Sequence, residues 1–374
     1  MKTTWPHFGD DEIRAVTRVL KSGRVNQWTG EEVSAFEEEF RKFVGAGYAV
    51  AYANGSLALE AAFTCLGLRE RSEVVVPSRT FVATAMSLVR CGLQPAFADV
   101  DEDGLVTQGT VLAQVNPRTS AISVVHLGGK PAPTYFPVKA PVVEDCAQAL
   151  GATVDGKHVG TSGKVGVFSF CQDKIMTTGG EGGMVVTDDY MLYRKLWSWK
   201  DHGKSYELAH SRSNGQYIWC HTGIGTNARM TEMQAAIGRV QLKKVPGWVL
   251  KRRALAERLA DRLQGCRGLR VPAVGIGDAC YRYYVYTENL QEHWSQDRVI
   301  SELLKRGVDC GQGACPEVYR EQAFYTGLKF CHTARVLCAT SLMFKLDPMM
   351  NVRYIDRIAI AVRDVMRKAC LRSA

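Results

Sequence analysis

The chain has 374 residues, of which 46% are hydrophobic and 23% charged, a balance typical of a globular protein with a large core. Its net charge of +9 is dispersed, without an arginine-rich arm or a basic stripe interleaved with aromatic residues, so nucleic acid is not an expected partner. No uninterrupted apolar run is long enough to span a bilayer and the polar start lacks a signal-peptide core, so we expect a cytoplasmic protein with no membrane partner.

Strands and helices alternate between about residues 49 and 189. Between the strands, "SLALEAAFTCLGL" and "TFVATAMSLVRCGL" have helical spacing. Several of the strands lack polar alternation, as parallel strands buried on both faces do, so we predict an α/β fold with a mostly parallel central sheet and helices on both faces. The predicted strands are 73–78, 95–100, 121–127, 141–146, 166–170 and 182–187. A hairpin turn is expected at Asp155–Gly156.

The pattern changes after Thr231. This threonine is a plausible cap for the helix "TEMQAAIGRVQLKKV", which Pro246 and Gly247 interrupt before "WVLKRRALAERLADRL" resumes it. One strand, "YRYYVYTENL", a helix, "SQDRVISELLKRG", an irregular stretch, "GQGACPEVYREQAFYTG", and a last helix over 351–370 follow. We therefore predict a large α/β domain over residues 1–245 and a smaller C-terminal α/β domain over 246–374.

The cysteines and histidines give no metal motif. The twelve cysteines are scattered without a CxxC pair, and the eight histidines form no HExxH sequence. This usage is typical of a reduced chain, and we expect no metal site.

Polar residues stand at two strand ends, one the end of a further strand just before Asn54 and the other the end of strand 141–146. Asn54-Gly55-Ser56 in "YANGSLALE" stands where a helix begins, so its amides and the Ser56 hydroxyl are suited to a phosphate, although the same sequence is more often an ordinary turn and cap. In "VVEDCAQALGA", Asp145 either caps a helix or pairs with a protonated ring nitrogen, and Gln148 follows one turn later.

Lys174 stands between two apolar strands, in "FSFCQDKIMTTGGEGGMVVTDD", with Ser169 five residues before it. A phosphate loop, an aspartate at a strand end and a lysine are the three contacts that pyridoxal 5′-phosphate needs. Lysine reacts with its aldehyde, an anion holds its pyridine nitrogen, and amides with hydroxyls bind its phosphate. Together the three features predict a site for this cofactor.

Nine segments occur in an order that resembles the DegT/StrS-type sugar aminotransferases, which are pyridoxal-phosphate enzymes with the aspartate-aminotransferase fold. The resemblance covers nearly the whole chain. The segments are "SGRVNQWTGEEVSAFEEEF", "YANGSLALEAAF", "EVVVPSRTFVATA", "VVHLGGKPAP", "VVEDCAQALGA", "GTSGKVGVFSF", "DKIMTTGGEGGMVVTDD", "DHGKSY" and "GTNARMTEMQAAIGRVQL".

The resemblance implies a set of cofactor contacts. Lys174 would form the Schiff base, Asp145 would hold the pyridine nitrogen, and Gln148 would approach the phenolic oxygen. Phe81 would stack on the ring, as an alternative or in addition to a place in the core. Phosphate contacts would come from Gly55, Ser56, the Leu57 amide and Ser169.

The resemblance also implies a homodimer with shared active sites, in which Asn227 reaches the phosphate bound by the neighbouring subunit. Three positions depart from the family pattern. Ala228 stands where an aromatic residue is usual, Gly179–Gly180 contains one extra glycine, and Cys171 stands where histidine is frequent. We expect Cys171 to be a small residue beside the cofactor, not a nucleophile.

The implied reaction is transfer of an amino group from an amino acid, by resemblance glutamate, to a nucleotide-diphospho-keto-sugar in amino-sugar, polysaccharide or glycoside biosynthesis. Arg229 and Arg282 are the candidate cations for the diphosphate. Tyr319 is a candidate for stacking on a base or sugar, with half-buried packing as the equal alternative, and His202 is a candidate near the sugar.

Three other functions remain open. A sister branch of the family has histidine in place of the lysine and dehydrates sugars, so Lys174 favours transamination. A keto-cyclitol acceptor is compatible with the same residues. A non-catalytic nucleotide-sugar-binding or sensor protein would not need the full set of lysine, aspartate and serine.

Overall fold

The computed structural model describes residues 5–210, 221–314, 316–324 and 330–370. The helices in this part of the chain are α1 (Asp10–Ser22), α2 (Glu32–Val44), α3 (Gly55–Cys65), α4 (Val82–Arg90), α5 (Gln108–Leu112), α6 (Tyr190–Trp199), α7 (Tyr206–His210), α8 (Glu232–Leu242), α9 (Val245–Leu263), α10 (Gln296–Lys305), α11 (His332–Thr340) and α12 (Val352–Ala369). The strands are β1 (Tyr48–Tyr52), β2 (Glu73–Pro77), β3 (Gln94–Ala98), β4 (Thr119–Val125), β5 (Val142–Asp145), β6 (Thr153–Val154), β7 (Lys157–His158), β8 (Val165–Ser169), β9 (Gly183–Thr187), β10 (Leu269–Arg270), β11 (Arg282–Thr287), β12 (Cys310–Gly311) and β13 (Ser341–Lys345).

A seven-stranded sheet in the order β1-β9-β8-β5-β4-β2-β3 forms the centre of the molecule. Strand β9 runs antiparallel to both of its neighbours, and the remaining pairs are parallel. All six predicted strands are present, with ends within two residues of the prediction. The predicted α/β class with a mostly parallel central sheet is confirmed.

Side chains on the two faces of the sheet belong to separate cores. Along β9, Val185 packs in the core under α3, α4 and α6, whereas Val186 packs in the core under α2, α8 and α9. In β8, Val167 packs in the first of these cores and Phe168 packs in the second. Successive side chains of a strand point to opposite faces, so a strand covered by helices on both sides is apolar at every position.

A second sheet, in the order β10-β11-β13-β12, is antiparallel throughout. Helices α9, α10 and α12 share a core with it. Of its strands the sequence predicted only β11. The others were missed, as was α11, because two of the strands have two residues each and β13 follows α11 directly.

The predicted helix break after Thr231 needs a correction. Helix α8 ends at Leu242 and α9 begins at Val245, so Pro246 and Gly247 lie in the first turn of α9 and do not interrupt a helix. Proline is accepted there because first-turn amides have no intrahelical acceptor. Val249 in α9 packs under the large sheet and Leu259 packs under the second sheet, so one helix serves both cores. The division at 245/246 stays a prediction.

The predicted hairpin at Asp155–Gly156 and the predicted cap at Thr231 are both present. Strands β6 and β7 form the predicted hairpin, with positive φ at both Asp155 and Gly156. Thr231 caps α8 through a reciprocal pair of hydrogen bonds with Gln234. Within the described ranges, none of the helices has both the length and the apolar character that crossing a membrane requires.

Candidate active site

A cavity of about 760 Å³ opens at the carboxyl ends of the parallel strands, and residues of β11 and β13 close its other side. Ligands of open α/β sheets bind at this edge, since loops that follow neighbouring parallel strands meet there. Eight of the residues predicted from the sequence line the cavity, namely Gly55, Ser56, Phe81, Asp145, Gln148, Ser169, Lys174 and Arg282.

Asp145 and the preceding Glu144 point to opposite faces of the sheet. Glu144 faces away from the cavity, where its carboxylate accepts hydrogen bonds from His126 Nε2 and from the amides of Gly160, Ser162 and Gly163. The hydrogen bonds to the Glu144 carboxylate therefore hold the loop that precedes β8 in place.

Asp145 is buried at the floor of the cavity. Its Oδ2 accepts a hydrogen bond of 2.8 Å from Thr84 Oγ1, and its Oδ1 accepts one of 3.1 Å from the Ala147 amide. Burial raises the pKa of the Asp145 carboxyl, while these hydrogen bonds and the nearby charge of Lys174 oppose the rise. A cationic ligand group in the cavity would compensate for the burial of this carboxylate.

Gln148 and Phe81 complete two walls of the cavity. The Oε1 atom of Gln148 accepts a hydrogen bond of 2.8 Å from the Gly128 amide, so the side-chain amide group has a fixed orientation. Phe81 caps α4 and is 54% exposed, so a place in the core, the alternative considered from the sequence, is wrong. An aromatic face left open to a cavity is suited to stacking on a planar ligand.

The first turn of α3 lies against Ser169 at the end of β8. Asn54 caps this helix, and its Oδ1 accepts a hydrogen bond of 2.9 Å from the Leu57 amide. That contact corrects the expectation for Leu57, because its amide already has an acceptor. Among the described residues, the amides of Gly55 and Ser56 have none, which leaves them available to an anion at the helix N-terminus.

Lys174 projects into the cavity, with its Nζ 5.0 Å from the centre of the Tyr281 ring. Burial lowers the pKa of its amine, and the charge of Arg282 acts in the same direction. Asp173 and Asp145 oppose this effect through their negative charges. The net effect is a lowered pKa, so the amine of Lys174 is neutral more often than the amine of an exposed lysine. Only a neutral amine is nucleophilic or basic.

The loop after Lys174 turns back on itself. Gly179 and Gly180 have φ angles of 87° and 121°, and the Gln172 amide donates a hydrogen bond of 2.9 Å to the Gly180 carbonyl. The extra glycine is thus accommodated in a turn that side chains rarely allow. Cys171 lies beside the cavity, where burial raises the pKa of its thiol.

Arg282, a predicted substrate cation, lines the cavity but is paired there. Its Nη2 lies 2.8 Å from Asp173 Oδ2, and its guanidinium stacks 4.0 Å from the centre of the Tyr281 ring.

Five other predicted residues do not line the cavity of their own chain, namely Leu57, His202, Asn227, Arg229 and Tyr319. Arg229 forms an ion pair with the buried Asp201 and is therefore not a free cation. His202 is exposed, with a φ of 60°. Asn227 is exposed as well.

Tyr319 is in the hydrophobic core. It is 7% exposed, packs against Phe97 and donates its hydroxyl to Glu317. Packing, the alternative considered for this residue, describes it, and the expectation that it stacks on a base or sugar is corrected. Ala228 is likewise fully buried in the core and does not line the cavity.

Sequence reasoning missed three cavity residues that contact the predicted ones. Thr84 stands three residues after Phe81, a helical spacing that places both at the same edge of α4 and was a usable signal. Asp173 directly precedes Lys174. Tyr281 comes from a distant part of the sequence, and only the packing of the second sheet against the lysine loop brings it to the site.

Comparison with known proteins gives the family. A sequence model described as the DegT/DnrJ/EryC1/StrS aminotransferase family matches residues 6–363. The chain belongs to this family. The predicted enzyme class, a pyridoxal-phosphate-dependent sugar aminotransferase, and the predicted cofactor are confirmed.

Three similar proteins illustrate the relationship. The chain is similar to an aminotransferase of Psychrobacter cryohalolentis of known structure, with 41% identity and a TM-score of 0.93 over 98% of this chain and 99% of that one. It is 32% identical to the UDP-N-acetyl-3-dehydro-alpha-D-glucosamine 3-aminotransferase of Acidithiobacillus ferrooxidans over 89% of this chain and 88% of that protein. It is 33% identical to the GDP-perosamine synthase of Vibrio cholerae over 70% of each protein.

The groups around the cavity fit the cofactor of this family. The buried Asp145 supplies an anion, the Gly55 and Ser56 amides with Ser169 supply donors, and Lys174 supplies an amine of lowered pKa. No single one of these features is specific. Their convergence on one cavity is what the chemistry of pyridoxal phosphate requires.

Proposed function

We propose that this enzyme moves an amino group from an amino acid, glutamate by family resemblance, to a nucleotide-diphospho-keto-sugar. The meeting of Lys174 and Asp145 in one cavity is the observation that carries the proposal. The UDP- and GDP-linked sugars in the names of two relatives support the nucleotide part. A cytoplasmic location accords with such substrates and stays a prediction.

Pyridoxal phosphate supplies an electron sink that lets the α-carbon of the donor lose a proton. In this proposal the Lys174 amine takes that proton as a general base and returns one as an acid. Its lowered pKa suits both steps, because burial favours the neutral form that accepts the proton. Lys174 would also hold the cofactor covalently between turnovers.

Asp145 would hold the pyridine nitrogen of the bound cofactor in its protonated form. Thr84 and the Ala147 amide fix the two carboxylate oxygens, so the charge is oriented before substrate binds. Gly55, Ser56 and Ser169 would bind the phosphate, Phe81 would cover one face of the ring, and Gln148 would approach its phenolic oxygen.

The presence of lysine supports transamination over dehydration, since the dehydrating branch implied by the resemblance lacks this amine. A keto-cyclitol acceptor remains the second candidate. Asn227 is proposed to act in the neighbouring subunit's site of a homodimer, which accords with its exposed position outside its own chain's cavity.

The test compares acceptors. Enzyme converted to its amino form with glutamate is mixed with UDP-, GDP- or dTDP-linked keto-sugars, with the same sugars freed of the nucleotide, and with a keto-cyclitol. Formation of amino product is followed by mass spectrometry. We expect kcat/KM for one nucleotide-linked sugar to exceed that for its free sugar by at least about a hundredfold, because charge-assisted bonds to the diphosphate are lost. Equal values, or a preference for the cyclitol, would overturn the assignment.

A further inference from the structure

The residue directly before Lys174 ties the lysine loop to the second sheet. Asp173 Oδ2 accepts a hydrogen bond of 2.5 Å from the Tyr281 hydroxyl and one of 2.8 Å from Arg282 Nη2. Arg282 Nη2 also donates to the Tyr281 hydroxyl at 3.0 Å. Three side chains thus form a closed network at the wall of the cavity.

The two charged members of this network differ in their access to water. The Arg282 side chain is only 11% exposed and is held over the Tyr281 ring, whereas the Asp173 side chain is 49% exposed. Asp173 can therefore leave the network and be solvated at little cost, while Arg282 stays in place. An exposed carboxylate of this kind contributes little to folding stability.

Arg282 is also the cation best placed to meet an anionic substrate group. Among the described residues that line the cavity, the other cations are Lys174 and Lys345. Lys174 has its own chemical task, and Lys345 pairs with Asp309 and is 44% exposed. Arg282 and Lys174 contact the same Tyr281 ring, at 4.0 and 5.0 Å from its centre. An anion on Arg282 would therefore lie close to the reacting centre.

The charges around Asp173 resemble those that a bound anion would experience. Burial alone would raise the pKa of its carboxyl, but the charge of Lys174, the Tyr281 hydroxyl and the charge of Arg282 together lower it. The carboxylate occupies the donors that any incoming anionic oxygen group would use.

From this network we infer that Asp173 is a specificity-determining residue, an internal anion that occupies Arg282 and Tyr281 until an anionic oxygen group of one substrate displaces it. Both substrates of the proposed reaction carry such groups, a carboxylate on the amino donor and a diphosphate on the sugar. The inference rests on the proposed function, and it concerns how the site admits a substrate. Asp173 lowers the affinity for that substrate because the incoming group must compete with it.

The experiment measures each half of the reaction separately. Rapid mixing of holoenzyme with the amino donor alone, or of the amino form with the nucleotide keto-sugar alone, gives an apparent Kd and a maximal rate for each substrate from the cofactor absorbance. The variants are Asp173→Asn, Arg282→Gln and the double variant. Asparagine retains an oxygen that can accept from Tyr281 and removes the competing charge.

We expect Asp173→Asn to lower the apparent Kd for one substrate several-fold and to leave the Kd for the other substrate unchanged. Arg282→Gln should raise the same Kd about tenfold or more, as loss of a charge-assisted bond does. In the Arg282→Gln background Asp173→Asn should have no effect on that Kd, because there is no longer a cation to compete for. The affected half-reaction identifies the carboxylate or the diphosphate as the displacing group.

Glu181 provides a matched control, since it is another exposed carboxylate of the same cavity and forms no ion pair with Arg282. Any effect of Glu181→Gln should be the same in the wild-type and the Arg282→Gln backgrounds. The inference is overturned if Asp173→Asn changes neither Kd, changes both equally, or acts equally in both of these backgrounds. If the wild-type enzyme performs no half-reaction with any nucleotide keto-sugar, the proposed function fails, which is a separate result.

Discussion

Gly55 lies against Ser169 so closely that a Cβ atom added to Gly55 would be 2.7 Å from the Ser169 Cβ and 2.9 Å from its Oγ. Contacts this short are not tolerated between real side chains, so one of the two residues would have to move. The close approach brings the first amides of α3 and the Ser169 hydroxyl to one side of the cavity. This is the arrangement that the proposed phosphate contacts need.

Gly55→Ala should therefore weaken cofactor binding by about tenfold or more while the protein still folds. The added methyl group pushes the α3 N-terminus away from Ser169 and separates the phosphate donors. Titration of apoprotein with pyridoxal phosphate, followed by absorbance, measures the effect. Gly109→Ala is the matched control, because its Cβ would meet only Thr107 Oγ1, at 3.8 Å, and Gly109 does not line the cavity. An unchanged cofactor Kd in Gly55→Ala would contradict the phosphate assignment.

Asp145→Asn should raise the stability of the apoprotein and lower the activity of the loaded enzyme. Burial raises the folded-state pKa of Asp145, so the folded apoprotein binds a proton more readily than the unfolded chain. Below its pKa in the unfolded chain, the Asp145 carboxyl does not reduce the stability of the folded apoprotein. As the pH rises from that value through the folded-state pKa, ionisation of the buried carboxyl reduces this stability. At pH 7 the apo variant should unfold at a higher temperature than apo wild type, and the difference should vanish toward pH 3. Calorimetry of the two apoproteins across this pH range provides the measurement.

The loaded enzyme should respond in the opposite sense, since Asp145 then has a cationic partner. We expect kcat of Asp145→Asn to fall at least about a hundredfold, as loss of an oriented charge in an active site does. A variant with wild-type kcat would contradict the catalytic role of the carboxylate. An apo variant less stable than apo wild type at pH 7 would contradict the predicted cost of burying its charge.

Lys174→Ala should reduce turnover at least about 10⁴-fold without loss of fold, because both the covalent contact and the proton transfer disappear. The variant loses no side-chain hydrogen bond of the described structure, and the contact between Trp5 Nε1 and the Lys174 carbonyl stays in place. Lys42→Ala, at a 66% exposed lysine, is the control and should keep full activity. A small added amine should restore part of the Lys174→Ala rate. If the variant turns over at near wild-type rate without amine, the lysine has been misassigned.

The parts of the fold that sequence reasoning predicted are those in which local pattern and tertiary environment agree. Strands such as β2 and β9 are buried along their whole length, so an apolar run is sufficient to reveal them. The short strands β10 and β12 have no such pattern, because two residues carry no periodicity. The prediction that Pro246 interrupts a helix was wrong because proline is equally suited to the first turn of a helix.

The site divides in a similar way. Residues of the cavity floor, such as Asp145 and Lys174, stand at strand ends or loops, where a motif identifies them. For Tyr319 stacking and packing were weighed equally, because an aromatic residue in a Tyr-rich segment does not reveal whether it packs inside, and the structure places it in the core. The network of Asp173, Tyr281 and Arg282 joins residues more than a hundred positions apart, and only the packing of the two sheets brings them together.

Mixed dimers test the proposed role of Asn227. Asn227 is exposed and lies outside its own cavity, so in a homodimer it would complete the partner's site. Lys174→Ala and Asn227→Ala should each give weakly active homodimers. In a dimer containing one of each, one site carries both defects and the other carries neither. Random reassociation of equal amounts should therefore restore about a quarter of the wild-type activity, because half of the dimers then hold one intact site.

Differently tagged chains, purified in two affinity steps, would isolate the mixed dimer. If Asn227 acted in its own subunit, every site would carry one defect and mixing would restore nothing.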